Sequence, residues 1–117
     1  MYAQRVTVHP SPDKIAAART LLLERVKTGR ASGQQIALGE LVLGRHAPEF
    51  QVTILHADLA AFEAQRKRNQ ADKSFQTFAE KLAVTLRKPV VQDLFDVLVS
   101  MPGTEAAAKP RAARKAK

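Results

Sequence analysis

The chain has no cysteine among its 117 residues, and this absence excludes several kinds of site. Disulfides, iron–sulfur clusters and thiolate zinc sites all require cysteine side chains. No other motif indicates a prosthetic group, so we predict that the protein has no cofactor. Because a small domain buries a small share of its surface, a chain of this size without disulfides gains stability by burying a face against a partner.

Long hydrophobic runs are also absent. No apolar stretch approaches the roughly 20 residues that are needed to cross a bilayer. The start of the chain, MYAQRVT, lacks the basic residues and long apolar core of a secretory signal. We therefore expect a cytoplasmic protein that does not bind membranes. Hydrophobic residues make up 45% of the chain and recur periodically, which indicates one globular domain.

Charge is unevenly distributed along the chain. The net charge is +8, and residues 104–117 hold five basic residues against one acidic residue, which leaves +4 for residues 1–103. This end of the chain has no large apolar residue, so we expect a folded domain over 1–101 and a flexible basic tail over 102–117. The tail is either a solubilising appendage or a weak, nonspecific and salt-sensitive contact for nucleic acid.

Apolar periodicity predicts the elements of the first half of the chain. Alternation over 2–9 indicates a strand. Ser11 as a cap, Pro12 in the first turn and an apolar stripe predict a helix over 12–28, which Gly29 would end. Two extended runs around a turn that contains His46 then predict a β-hairpin, with strands over 34–45 and 49–56.

The second half of the chain predicts a pair of helices and a last strand. Asp58 is a plausible cap for a short helix that breaks near 69–72. A third helix is predicted by the clearest amphipathic stripe, which Pro89 closes: Phe75, Phe78, Ala79, Leu82 and Leu86. A final strand is predicted over 90–100, with Val91, Phe95, Val97 and Val99 on its core side.

This order of elements is the split β-α-β layout of ferredoxin-like α+β domains, in which a four-stranded antiparallel sheet carries its helices on one face. The other face is then uncovered. It is predicted to mix polar and apolar side chains, namely Arg5, Thr7, His9, Gln51, Thr53, Leu55, Gln92, Leu94, Asp96 and Leu98. Because such a face is costly to leave in water, we predict a homodimer in which two sheets pack face to face.

Three stretches of the chain resemble a known superfamily. Residues 5–14 (RVTVHPSPDK), 59–66 (LAAFEAQR) and 75–89 are similar to the dimeric α/β-barrel proteins, and most to their NIPSNAP-like and antibiotic-biosynthesis-monooxygenase-like members. The resemblance implies two ferredoxin-like sheets closed into a barrel, with a small ligand held within the barrel or between sheet and helices. The superfamily's activities include cofactor-free oxidation, haem chemistry and isomerisation, and no motif in this chain selects one.

The candidate ligand-binding residues lie on the predicted strands: Arg5, Thr7, His9, Glu40, Thr53 and Asp96. Arg5 could anchor an anionic or carbonyl-bearing ligand, with Asp96 or Glu40 orienting it; alternatively these charges form a structural salt-bridge network. His9 is either a proton shuttle or a partly exposed residue at a strand end. The three histidines are spaced too irregularly to predict a metal site.

We therefore expect a dimer that binds a small apolar or anionic ligand. Two alternatives remain: a cofactor-free monooxygenase or isomerase of small molecules, and a structural dimer whose basic tail associates with nucleic acid. The basic run Arg66, Lys67 and Arg68 is predicted to be a solvated helix end, with phosphate binding as the alternative.

Overall fold

The structure is a computed structural model that describes residues 1–45 and 47–98, in which the chain forms four strands and three helices. In chain order these are β1 (Tyr2–Val8), α1 (Ile15–Ala31), β2 (Gln35–Glu40), β3 (Phe50–His56), α2 (Leu59–Ala71), α3 (Lys73–Ala83) and β4 (Val91–Asp96). The predicted tail, the turn residue His46 and the end of the predicted last strand lie outside the described residues. Within the described ranges, no helix combines the length and the apolar character needed to cross a membrane.

The four strands form one antiparallel sheet in the order β2-β3-β1-β4. Arg5 lies opposite Thr53 of β3 on one side and opposite Asp93 of β4 on the other. The central strands are β1 and β3; α1 follows β1, and α2 and α3 follow β3. This arrangement confirms the predicted ferredoxin-like α+β fold.

The hydrophobic core lies between α1 and the three strands β2, β3 and β1. Ala18, Leu22 and Val26 recur at three- and four-residue spacing along α1 and are buried, as the stripe predicted. They pack with buried residues of the sheet and of α3, namely Val8, Ile36, Phe50, Val52, Ile54 and Leu82. By contrast, α2 has no buried residue. Helix α1 therefore buries most of the helix side of the sheet.

The helix boundaries differ from the predicted ones in three places. Pro12–Lys14 form a short 3₁₀ helix, α1 begins at Ile15, and Ser11 makes no side-chain capping hydrogen bond. Gly29 does not end α1, which continues to Ala31; the residue with a left-handed backbone is Gly33, with φ +93°. Gly29 instead permits a close approach, since a Cβ there would lie 2.5 Å from Gln34 Oε1. Helix α3 ends at Ala83, well before Pro89, because Leu86 forms a β-bridge with Pro10.

The faces of β4 are the reverse of the predicted ones. Val91, Asp93 and Phe95 pair with Thr7, Arg5 and Ala3, so they lie on the sheet face away from the helices. Asp96, opposite Tyr2, lies on the helix side together with Gln92 and Leu94. Because every residue of this edge strand is exposed, its apolar residues do not mark a core side.

Candidate functional site

The sheet face that points away from the helices is called the open face here. On β1 and β3 it carries Arg5, Thr7 and Thr53, three of the predicted site residues, since successive strand residues alternate between faces. The full set is Ala3, Arg5, Thr7, Gln35, Ala37, Gly39, Gln51, Thr53, Leu55, Val91, Asp93 and Phe95. Apolar residues at the β4 edge are substantially exposed, with 47% of Val91 and 45% of Phe95 accessible to solvent.

Arg5 occupies the middle of the open face. Its guanidinium carbon lies 5.2 Å from the centroid of the Phe95 ring, which is within cation–π range. Asp93 is its cross-strand neighbour, yet the two do not form a salt bridge among the described residues. The charge of Arg5 is therefore exposed and in position to meet a ligand or a second chain.

Glu40 and Asp96, which were predicted to orient Arg5, do not lie beside it. Glu40 accepts two hydrogen bonds from the Arg19 guanidinium of α1, at 2.9 and 3.1 Å. These hydrogen bonds lower the pKa of Glu40, and the carboxylate raises that of Arg19. Since Asp96 is on the helix side as well, the predicted network of Arg5, Glu40 and Asp96 is wrong.

Thr53 lines a groove on the open face near the β2 edge. The groove has a volume of about 420 Å³, and Ala37 and Leu55 contribute to its apolar floor. Arg30, from the end of α1, reaches over the edge strand and donates from Nε to the Ile36 carbonyl at 3.0 Å. An apolar floor with a guanidinium at the rim suits a small apolar molecule that carries an anionic group.

His9 is buried, with only 6% of the residue exposed, which corrects the expectation of a partly exposed strand-end residue. Its Nε2 lies 3.1 Å from Oε1 of Glu49, which is also buried. The other carboxylate oxygen of Glu49 accepts a hydrogen bond from Gln51 Nε2 at 3.1 Å. Backbone bonds hold the pair, since the His9 carbonyl accepts from the Arg87 amide. A carboxylate that orients a buried imidazole is a common arrangement for proton transfer.

A second depression, called the helix-side cleft here, lies near the end of β3, mainly on the helix side of the sheet, and reaches the open-face residues Gln35 and Leu55. It measures about 260 Å³ between the loop after α1 and the side of α2, and its polar lining includes His56, Gln65 and Arg68. His56 is 6% exposed, and its Nε2 is 3.0 Å from Gln4 Oε1. Burial lowers the pKa of His56, so its ring is neutral at neutral pH.

Metal ligands do not converge in the described part of the chain. No group of three or more histidine, aspartate or glutamate side chains there could hold a metal ion. His9 and His56 lie at opposite ends of the β1–β3 pair, and each is hydrogen-bonded to a different residue.

Several residues that shape these sites were not predicted from the sequence. Strand register places Glu49 beside His9 and Asp93 beside Arg5. The side chain of Arg30 reaches the edge strand β2 from α1. The only sequence signal for Glu49 and Asp93 was a carboxylate inside or beside a predicted strand, which is costly to bury without a partner.

No protein-family model and no curated protein matches the sequence. Solved structures do match it. Rv0793 from Mycobacterium tuberculosis is 20% identical over 85% of this chain and 96% of that protein, with a TM-score of 0.68. An uncharacterized NIPSNAP domain protein from Burkholderia xenovorans is 14% identical over 87% and 99% of the two chains, with a TM-score of 0.72. An antibiotic biosynthesis monooxygenase is 18% identical over 85% and 100%, with a TM-score of 0.65.

These similarities define the class of fold. The chain has the ferredoxin-like fold of NIPSNAP-domain and antibiotic-biosynthesis-monooxygenase-like proteins, which confirms the resemblance found in the sequence. At such low identities the likeness extends to the fold alone.

Proposed function

We propose that the protein is a homodimer whose open faces meet, and that the space between them binds a small, mainly apolar molecule with an anionic or carbonyl group. One observation carries the proposal: the open face joins exposed apolar side chains to an arginine, Arg5, that has no salt-bridge partner among the described residues. The face is too apolar to favour water and too polar to favour an ordinary core.

The charges on the open face favour a second copy of the chain as its binding partner. Arg5 and Asp93 are direct cross-strand neighbours, so the face carries one positive and one negative charge side by side. A twofold axis near them would bring Arg5 of each copy towards Asp93 of the other, because such an interface pairs one patch with itself. Phe95 and Val91 would be buried in the same contact.

The groove supports the ligand part of the proposal. Its floor is apolar, and Arg30 stands at its rim. A second sheet over the groove would exclude water, and exclusion of water strengthens the attraction between a guanidinium and an anion. Thr53 would contribute a hydroxyl for orientation of the bound molecule.

A charge-swap experiment tests the dimer. Arg5→Asp and Asp93→Arg each place like charges together across the proposed axis, so each variant should be monomeric by size-exclusion chromatography, whereas the double variant should recover the dimer. The control Lys67→Asp makes the same charge change on the exposed side of α2 and should remain dimeric. Single variants that elute with the parent protein would contradict the proposal.

A fluorescent probe tests the groove. Anilinonaphthalene sulfonate combines apolar rings with one sulfonate, and we expect it to bind with affinity reduced several-fold by Arg30→Gln. Lys27→Gln removes the same charge from the exposed side of the same helix and should leave the affinity unchanged. Equal affinities for the two variants, or no binding to the parent, would count against this site.

An enzymatic function is a second candidate, and the observation in its favour is the buried His9–Glu49 hydrogen bond. A carboxylate-oriented imidazole beside the open face could move a proton in a cofactor-free oxidation or isomerisation. Pyruvate is a suitable probe, since it carries an anionic group and acidic methyl hydrogens. Its methyl NMR signal in D₂O should decay faster with the parent protein than with folded His9→Gln; equal rates would exclude proton abstraction from this probe.

A further inference from the structure

The helix-side cleft shares Gln34, Gln35 and Leu55 with the groove at the β2 edge, but its polar groups lie on the helix side of the sheet. His56 alternates with the open-face residue Leu55 along β3, so its ring is on the helix side of the sheet. The cleft walls come from the loop after α1, the end of β3 and the side of α2. Contacts of a ligand with His56 and Arg68 would therefore not require sheet pairing.

Hydrogen bonding selects one tautomer of His56. The Gln4 amide nitrogen donates to Gln92 Oε1 at 3.1 Å, which leaves Gln4 Oε1 as the acceptor. His56 Nε2 lies 3.0 Å from this oxygen and must carry the proton. In a neutral ring, Nδ1 is then the unprotonated nitrogen, and it can accept a hydrogen bond from a hydroxyl group.

The charge of the cleft is positive. Arg68 is its one charged side chain at neutral pH, and no carboxylate lines it among the described residues. Arg68 is held in place by a hydrogen bond of 2.8 Å to Gln65 Oε1 one turn earlier on α2. Ala57, Ala61 and Ile54 supply apolar contact between these polar groups. An anion with a small apolar body would be complementary to this lining.

We propose that the helix-side cleft binds a small hydroxylated carboxylate, with the carboxylate on Arg68 and the hydroxyl donating to Nδ1 of His56. The volume of about 260 Å³ corresponds to roughly nine water molecules, which suits a molecule of about ten non-hydrogen atoms. The neutral state of His56, which follows from its buried position, agrees with its role as an acceptor.

Three probe molecules test the assignment of each group. 4-Hydroxybenzoate carries both groups, benzoate lacks the hydroxyl, and 4-hydroxybenzamide lacks the charge. Titration of the full chain, followed by amide and imidazole nitrogen NMR, should give the tightest binding for 4-hydroxybenzoate, with affinity lower by about tenfold for the uncharged amide. The His56 spectrum should report a protonated Nε2, and its Nδ1 resonance should shift on binding.

Two arginine variants provide the matched comparison. Arg68→Gln should weaken 4-hydroxybenzoate binding about tenfold. Arg66→Gln, two residues earlier on α2 and hydrogen-bonded to Glu63, should leave the affinity unchanged. Equal effects of both variants, absence of binding at tens of millimolar probe, or shifts that leave His56 and the cleft side of α2 unchanged would overturn the proposal. The result is read independently of oligomeric state, so failure of the dimer proposal would not produce the same outcome.

Discussion

Buried polar side chains lie at both ends of the two central strands. His9 and Glu49 pair beyond one end, and His56 bonds to Gln4 at the other. His9, Glu49 and His56 are removed from water, and each would lower stability without a hydrogen-bond partner. The bonds therefore hold the ends of β1 and β3 together at the residue scale, and they also determine which nitrogen of each imidazole carries a proton.

Removal of the Glu49 carboxylate should destabilise the protein. Glu49→Ala deletes the acceptor for His9 Nε2 and for Gln51 Nε2, and loss of a buried acceptor costs about 1–3 kcal/mol. The free energy of unfolding from urea titration measures the effect. The control Glu63→Ala removes an exposed carboxylate paired with Arg66 and should cost less than about 0.5 kcal/mol. Similar losses of unfolding free energy for both variants would show that the Glu49 contacts stabilise the fold no more than an exposed ion pair does.

His56 should make stability depend on pH. Burial lowers its pKa in the folded protein below the ordinary value of 6.5, so the unfolded chain binds a proton more readily. The stability contributed by the neutral His56 ring is fully present above pH 6.5. It is lost as the pH falls from 6.5 towards the lower pKa of the folded protein. The urea midpoint should therefore decrease more between about pH 7.5 and about pH 5.5 for the parent than for His56→Gln. Equal decreases would contradict this assignment.

The candidate residues could be predicted from the sequence only in part. Strand alternation placed Arg5, Thr7 and Thr53 on the open face, because the two-residue period of a strand is visible in the sequence. The partners of Arg5 could not be found in this way. Whether Asp93 or Asp96 lies beside it depends on the register of two strands that are far apart in the chain.

Among the elements, α1 provides most of the cover for the sheet and α2 provides little. Residues Ala18, Leu22 and Val26 of α1 are buried, whereas α2 has no buried residue. Helix α2 is capped at its start, since Asp58 Oδ1 accepts from the Ala61 amide at 2.8 Å, and the Phe62 ring lies 5.3 Å from the His56 ring. A lightly packed helix beside a cleft is the element most able to adjust to a ligand.

Gly33 should be required for the turn from α1 into β2. Its φ of +93° is accessible to glycine and strained for alanine, although a Cβ there would meet no atom within 4 Å. Gly33→Ala should lower the free energy of unfolding by about 1 kcal/mol. Gly33→Asn is the control, because asparagine adopts a positive φ more readily than alanine, and it should cost less than Gly33→Ala. A neutral Gly33→Ala would show that the turn relaxes without cost.

The element order was predictable from the sequence, but the orientation of the last strand was not. Apolar periodicity identified the stripes of α1 and α3, since helices that pack on a sheet bury one face. Strand β4 is exposed on both faces, so Val91 and Phe95 did not reveal which side faces the helices. Only its pairing with β1 determines that side. The end of α1 was misplaced because Gly29 and Gly33 are equally good stop signals in the sequence.

At the scale of the whole molecule, the core occupies one side of the sheet and leaves the other side uncovered. Nine hydrophobic residues are buried among the described residues, and all lie on the helix side. A small domain with a one-sided core is marginally stable, and burial of the open face in a dimer would add apolar contact. The same contact would enclose the groove at Thr53, so the proposed dimer and the proposed ligand site depend on each other.

The proposed pairing of open faces is tested most directly by sedimentation equilibrium of the full chain at about 10 µM, near neutral pH and without added ligand. The account predicts a mass twice the 12.8 kDa of one chain, and a return to the single-chain mass when Arg5→Asp is introduced. A folded parent protein that sediments at 12.8 kDa under these conditions would contradict the central claim.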